Sequence, residues 1–118
     1  MHKDIANKWT AALRSGQYAQ ATEYLQKSSG FCCLGVLCDL HREQVGGEWA
    51  WGPGGGMSYQ PGDSDDFDNA LLPGPVKEWA GLRSVNPDAG GVCLSALNDD
   101  GQTFAQLADF IDTNWENL

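Results

Sequence analysis

The chain has 118 residues, of which 42% are hydrophobic and 19% are charged, and its formal net charge is -9. This length fits one domain over residues 1–118, and a domain of that size buries about two-thirds of its unfolded surface. The composition excludes a disordered chain, no apolar run approaches the roughly 20 residues of a membrane span, and the 16 acidic against 7 basic residues argue against direct binding to nucleic acid.

The N-terminal quarter predicts one helix and one ambiguous segment. A helix is expected over residues 4–14, with Asp4 as its N-cap and Gly16 just past its end. Residues 17–27 fit a strand slightly better than a helix, and a turn follows at residues 28–30. The apolar positions of the first helix fall at helical spacing: Ile5, Ala6, Trp9, Ala12 and Leu13.

The most hydrophobic stretch of the chain is Phe-Cys-Cys-Leu-Gly-Val-Leu-Cys-Asp-Leu at residues 31–40. It predicts a central helix over residues 33–45 that is buried on most sides, because its first half is apolar nearly all round. Gly35 lowers helix propensity by up to ~1 kcal/mol relative to Ala, so a glycine there predicts that another element packs closely against the helix backbone.

Two short strands are predicted after the central helix, over residues 48–51 and 57–60. The glycine-rich residues 52–56 join them, and an acidic run at residues 63–68 is expected to be a solvated loop. That run lacks the glycine and the terminal glutamate of a calcium-binding EF-hand.

The C-terminal part ends in the clearest helix signal of the sequence. Thr103 and Gln106 form the capping-box pattern, and the helix that they start is expected to run to about residue 115. Together the elements predict a single α+β domain with a buried central helix, two or three flanking helices and a small, mainly antiparallel sheet. The elements before the capping box are a helix over residues 73–80, a loop over 83–91, a strand over 92–97 and a turn over 98–101.

The cysteines and histidines indicate packing more than chemistry. Free cysteine packs as a small hydrophobe, and the polar, amphipathic start of the chain is unlike a signal peptide, so a reducing cytoplasm is expected. Cys33, Cys38 and His41 have a zinc-like spacing, but on one helix the two cysteines project about 140° apart. We therefore predict no metal, no cofactor and no catalytic residue.

Aromatic residues beside the glycine-rich loop give the one candidate binding site. Trp49 and Trp51 are two residues apart on a predicted strand and so share a face. Aromatic faces can stack on a nucleobase, and arginines can contact phosphate. The alternative is that the two tryptophans form a small hydrophobic cluster under a long loop. The predicted ligand site consists of Trp49, Trp51, Tyr59, Arg14, Arg42 and Arg83.

Several motifs together resemble a family of small proteins encoded by tailed bacteriophages. They are Trp-x-x-Ala-Leu-Arg-Ser-Gly at residues 9–16 with Tyr18, the apolar run at residues 31–40, and Leu-Asn-Asp-x-Gly-x-x-Phe at residues 97–104 leading into Ala-x-Leu-Ala-Asp-x-Ile. Leu-Leu-Pro and Glu-Trp-Ala-Gly-Leu lie between them. The resemblance covers most of the chain and excludes only the loops between Trp51 and Asp68. It implies an accessory protein that acts in the host cytoplasm, and it implies no reaction.

Three functional hypotheses follow from this resemblance, because phages carry small accessory proteins chiefly to redirect or disarm the host. The first, which the aromatic residues and the glycine-rich loop favour, is counter-defence by binding without turnover, in which the protein sequesters a nucleotide-derived immune signal of the host. In the second, the acidic surface occupies the basic, nucleic-acid-binding groove of a host defence protein. The third is an enzyme that degrades such a signal. The sequence leaves homo-oligomer formation open.

Overall fold

The central helix α2, Cys33–Gln44, is the element against which most others pack. The structure is a computed structural model and describes residues 1–118. Every residue of α2 from Cys33 to Asp39 is buried, and Leu34, Leu37 and Cys38 are wholly inaccessible to solvent. The predicted buried central helix is therefore confirmed.

Four further helices surround α2. α1 lies against both α2 and α5, whereas α3 and α4 each contact α2. None of the five helices is long and apolar enough to cross a membrane. The four helices are α1, Lys3–Arg14; α3, Gly74–Ala80; α4, Leu94–Asp99; and α5, Phe104–Asn114, and short 3-10 turns occupy Pro53–Gly55 and Trp115–Asn117.

A four-stranded antiparallel sheet covers another side of α2. Its strands are β1, Gln26–Lys27; β2, Gly30–Phe31; β3, Gly47–Trp51; and β4, Gly56–Pro61. Their spatial order is β2-β1-β4-β3, and the register of the β3–β4 hairpin places Trp49 opposite Tyr59. A separate two-stranded ribbon pairs β5, Asp88–Ala89, with β6, Val92–Cys93.

The predicted α+β class is confirmed, with four flanking helices instead of two or three. The hairpin and the first, third and last predicted helices lie within a few residues of their expected bounds. The capping box is also present, since the Thr103 hydroxyl accepts from the Gln106 N–H and the Gln106 side chain accepts from the Thr103 N–H. His2, not Asp4, is the N-cap of α1, so Asp4 lies in the first helical turn.

Two segments predicted as strands, residues 17–27 and 92–97, form a strand over only two residues each. Residues 17–25 contain no strand. Glu23 has a φ of 77°, which neither a strand nor a helix accommodates, and only the last two residues of the segment form β1. The strand predicted over residues 92–97 ends at Cys93, after which the chain turns into α4.

Asn98, predicted to lie in a turn, is buried in α4 and joins three segments. Its Oδ1 accepts hydrogen bonds from the Cys33 N–H at 3.2 Å and from Gln20 Nε2 at 3.0 Å. Its Nδ2 donates to the Ala21 carbonyl oxygen at 2.9 Å. The side chain thus satisfies an otherwise free N–H at the start of α2 and fixes the irregular segment beside it.

The cysteines of α2 have the predicted core role. Cys32, Cys33 and Cys38 are free and buried, and burial raises the pKa of the Cys32 thiol to about 11. Cys32 is also the N-cap of α2, because its sulfur accepts a hydrogen bond from the Gly35 N–H at 3.4 Å. These thiols are consequently protonated packing groups at neutral pH.

The close approach predicted at Gly35 is present and involves Leu25. A Cβ at position 35 would overlap the carbonyl oxygen of Leu25. That oxygen accepts a hydrogen bond from the Cys32 N–H at 3.1 Å, so the two backbones are held together. Only glycine permits this contact, which fixes the entry into β1 against the start of α2.

We expect Gly35→Ala to lower the free energy of unfolding by about 3 kcal/mol, because the overlap outweighs the ~1 kcal/mol gain in helix propensity. Gly52→Ala is the matched control, since its added Cβ meets no atom closer than 3.4 Å and its φ is -117°. Urea unfolding of both variants and the parent measures the difference. Equal midpoints for Gly35→Ala and the parent would contradict the contact.

Candidate functional site

Six aromatic rings form a continuous row beside α2. Successive ring centroids are 5.0–5.8 Å apart, and four of the five contacts are edge-to-face. Such pairs stabilise a fold by about 0.5–1.5 kcal/mol each beyond their buried area. In order, the row consists of Tyr18, Phe31, Trp49, Tyr59, His41 and Trp79.

Asp39 is a nearly buried carboxylate with three donors. The Tyr18 hydroxyl donates to its Oδ2 at 2.8 Å, while Arg42 Nε, at 2.8 Å, and Trp49 Nε1, at 3.1 Å, donate to its Oδ1. Burial by itself would raise the pKa of Asp39, but these hydrogen bonds, chiefly that from Arg42, hold the pKa below its ordinary value. Burial and the bond to Asp39 conversely raise the pKa of Tyr18.

His41 and Tyr59 form a second buried polar pair. A hydrogen bond of 2.7 Å joins His41 Nδ1 to the Tyr59 hydroxyl, and the two side chains are 3% and 0% exposed. Burial lowers the pKa of His41 and raises the pKa of Tyr59. The histidine is therefore neutral at pH 7, and its ring is closed to solvent.

These contacts correct part of the predicted ligand site. Tyr59 has no exposed ring face, so it cannot stack on a ligand. Trp49 is half-buried between Phe31 and Tyr59, and its indole N–H is held by Asp39. The alternative interpretation, a hydrophobic cluster, describes Trp49, whereas Trp51 is 62% exposed.

The three predicted arginines do not converge on the aromatic residues. Arg14 lies on α1 and forms ion pairs with Asp109 and Asp112 of α5, at 2.7 and 2.8 Å. Arg42 pairs with Asp39, and Arg83 lies beyond α3, in a separate groove that also includes Ser84 and Asn117. No surface groove is lined by more than one of the six predicted residues.

Trp51 lines a groove of about 370 Å³ on the outer side of the β3–β4 hairpin, which we call the hairpin groove. Phe67, from the acidic run, also lines this groove and is 63% exposed. Phe67 is absent from the predicted site, although a lone large apolar residue among aspartates is a signal in the sequence that indicates it. The remaining lining residues are Glu48, Ala50, Gly52, Pro53, Ser58 and Gln60.

The acidic run is an ordered loop attached to both neighbouring elements. Asp66 Oδ2 accepts from the Gly74 N–H at 2.9 Å, at the start of α3, and Asp68 Oδ1 accepts from the Ala70 and Leu71 N–H groups. Asp63 and Asp65, in contrast, are exposed and form no ion pair within the protein. No three metal-binding side chains of the protein lie close enough together to hold an ion.

The sequence over residues 1–115 matches a family model described as Domain of unknown function (DUF8296). The chain belongs to this family. The search of curated proteins and that of solved structures found no match. The family description names no activity.

Because the Asp39 carboxylate accepts hydrogen bonds from three side chains, we expect Asp39→Asn to lower the free energy of unfolding by about 2 kcal/mol. The amide offers one acceptor oxygen and no charge to Arg42. Asp65→Asn, which removes a carboxylate without a partner, should leave stability within about 0.5 kcal/mol of the parent. Urea unfolding at pH 7 compares the two, and similar midpoints would show that the Asp39 contacts contribute nothing.

We further expect stability to fall as the pH drops below about 6.5, the ordinary pKa of histidine. Burial lowers the pKa of His41 in the folded state. Neutral His41 therefore contributes fully to the free energy of unfolding above about pH 6.5, and this contribution is lost as the pH falls through the folded-state pKa. His41→Gln should remove this component of the pH dependence, while His2→Gln should retain it. Identical slopes between pH 7 and 5 for parent and His41→Gln, from urea midpoints, would contradict the assignment.

Proposed function

We propose that the protein binds a basic protein partner, without turnover, through the hairpin groove and the acidic loop beside it. One observation carries the proposal: two large aromatic side chains, Trp51 and Phe67, are more than 60% exposed and line the same groove. Exposed aromatic residues are typical anchors of protein interfaces, where a few such side chains supply most of the binding energy.

The charge around this groove favours a basic partner. Residues 43–76 contain six acidic and no basic residues. Glu48, Asp63 and Asp65 form no ion pair within the protein, so their charge is available to a partner. Complementary charge at the rim of an interface chiefly accelerates association and selects among partners.

The resemblance to tailed-phage proteins supports a setting for this activity. We propose an accessory protein that acts in the host cytoplasm, and a host defence protein with a basic, nucleic-acid-binding groove as its partner. An acidic surface that carries exposed aromatic anchors suits such a groove, because it offers carboxylates in place of phosphates and rings in place of bases.

A nucleotide-like signal is the second candidate, and exposed Trp51 favours it. A base stacked on one aromatic ring gains about 1–3 kcal/mol. However, no arginine or lysine lines the hairpin groove, and Glu48 would repel phosphate. An enzyme that degrades the signal is weaker still, since His41 is closed to solvent.

The test uses two triple variants that each remove three negative charges. Glu48→Gln, Asp63→Asn and Asp65→Asn change the proposed surface and spare Asp66 and Asp68, which hold the loop. Glu78→Gln, Asp88→Asn and Glu116→Gln are the control, since all three residues are exposed and lie outside that surface. The partner is recovered from host lysate with tagged protein, purified, and titrated against each variant at low and high salt.

We expect the first triple variant to slow association with the purified partner by about tenfold, and the control to change it little. High salt should mimic the first variant. If both triple variants slow association equally, the association rate depends on the net charge of the protein and not on the proposed surface, which would overturn the proposal. Nucleotide-induced thermal stabilisation that Trp51→Ala abolishes, in the absence of a protein partner, would establish the second candidate instead.

A further inference from the structure

We infer that the hairpin groove binds an arginine side chain of the partner, an inference that rests on the proposed protein-binding function. Trp51 and Phe67 line the groove from the hairpin and from the acidic loop, respectively. A guanidinium group placed over an aromatic face is attracted by the negative charge of the π-system, and indole is the strongest such face. Arginine is also among the residues enriched in interface cores.

The polar groups of the groove are acceptors that match a guanidinium. The Glu48 carboxylate forms no ion pair, and the Ser58 hydroxyl forms no hydrogen bond within the protein. Gln60 donates its amide N–H to the Ser64 carbonyl oxygen at 2.7 Å, which leaves its own Oε1 as an acceptor. A guanidinium carries five N–H donors and no acceptor, so these three side chains complement it.

Arginine fits this arrangement better than lysine does. Its planar group can stack on Trp51 and at the same time direct two N–H bonds to the Glu48 carboxylate, whereas an ammonium is a strongly hydrated point charge. The absence of any basic side chain among the groove residues leaves the carboxylate uncompensated until the partner binds.

Backbone and side-chain hydrogen bonds hold the two sides of the groove in place before binding. The Gly52 N–H donates to the Gly56 carbonyl oxygen at 2.9 Å and closes the hairpin. On the other side, the Gln60–Ser64 bond and the Asp66–Gly74 bond attach the loop that carries Phe67 to β4 and to α3. A groove fixed in this way loses little conformational entropy when a side chain enters.

The test uses fluorescein-labelled peptides with Gly-Arg-Gly repeats and matched peptides in which lysine or citrulline replaces arginine. Citrulline keeps the shape of arginine without its charge. We expect the citrulline peptide to bind about tenfold more weakly than the arginine peptide, with lysine between them, by fluorescence anisotropy. The Trp51 indole N–H resonance should shift on addition of the arginine peptide.

Variants assign the binding to the groove. Trp51→Ala should lower the affinity for the arginine peptide by about fivefold, and Glu48→Gln should lower it by about threefold. Glu48→Gln should not change the affinity for the citrulline peptide. Val45→Ala is the matched control, because Val45 is 59% exposed and lies outside the groove. Phe67→Ser repeats the test from the acidic loop, and melting curves confirm that each variant is folded.

The outcomes separate this inference from the proposed function. Equal affinity for arginine and citrulline peptides, or no binding of any peptide, overturns the arginine site. If binding of the purified partner requires Asp63 and Asp65 but is unchanged by Trp51→Ala, the acidic surface binds a partner and the groove does not bind its arginine. If no partner is found whose binding requires either the acidic residues or Trp51, both the proposed function and the arginine site are overturned.

Discussion

The hydrogen bonds of the Asp39 carboxylate are the interactions on which the position of the hairpin groove depends. Asp39 is 8% exposed, and a buried carboxylate is destabilising unless donors surround it. Here the donors come from three separate parts of the chain. Tyr18 belongs to the irregular segment after α1, Arg42 to α2 and Trp49 to β3. One charged group in the central helix therefore fixes the position of the hairpin that carries the groove.

The same constraint gives the hairpin an inner face, which packs against the core, and an outer face, which lines the groove. Trp49 and Tyr59 face each other across β3 and β4 and join the aromatic row, so Tyr59 is closed to solvent and Trp49 is half-buried. Glu48 and Gln60, the neighbouring pair in the register, line the groove instead. A shift of one residue in this pairing would exchange the two sets, so the Asp39–Trp49 bond also protects the register.

Local signals in the sequence predicted most of the fold, whereas the site depended on contacts that no local pattern reveals. The apolar spacing of α1 and α5, the capping box at Thr103 and the dense run of α2 each act within one helix, and each prediction agreed with the structure. Asn98 and Glu23 could not be placed in this way, because a tertiary hydrogen bond and a positive φ decide their conformations. Alternation put Trp49 and Trp51 on one face, but burial differs between them, since only Trp49 reaches Phe31 and Asp39.

This division explains why the two tryptophans cannot be treated as one binding element. Loss of Trp49 would leave Asp39 and the aromatic row incomplete, so a binding defect would follow from a displaced hairpin even if no ligand ever touched the indole. Trp51 makes none of these internal contacts, and neither do Glu48, Asp63 and Asp65. The recognition that we propose is thus assigned to residues outside the core contacts, and their common features are exposure, negative charge and aromatic surface. The partner that we propose would complement all three features by being basic, and one of its cationic side chains would contact Trp51 and Phe67 in the hairpin groove.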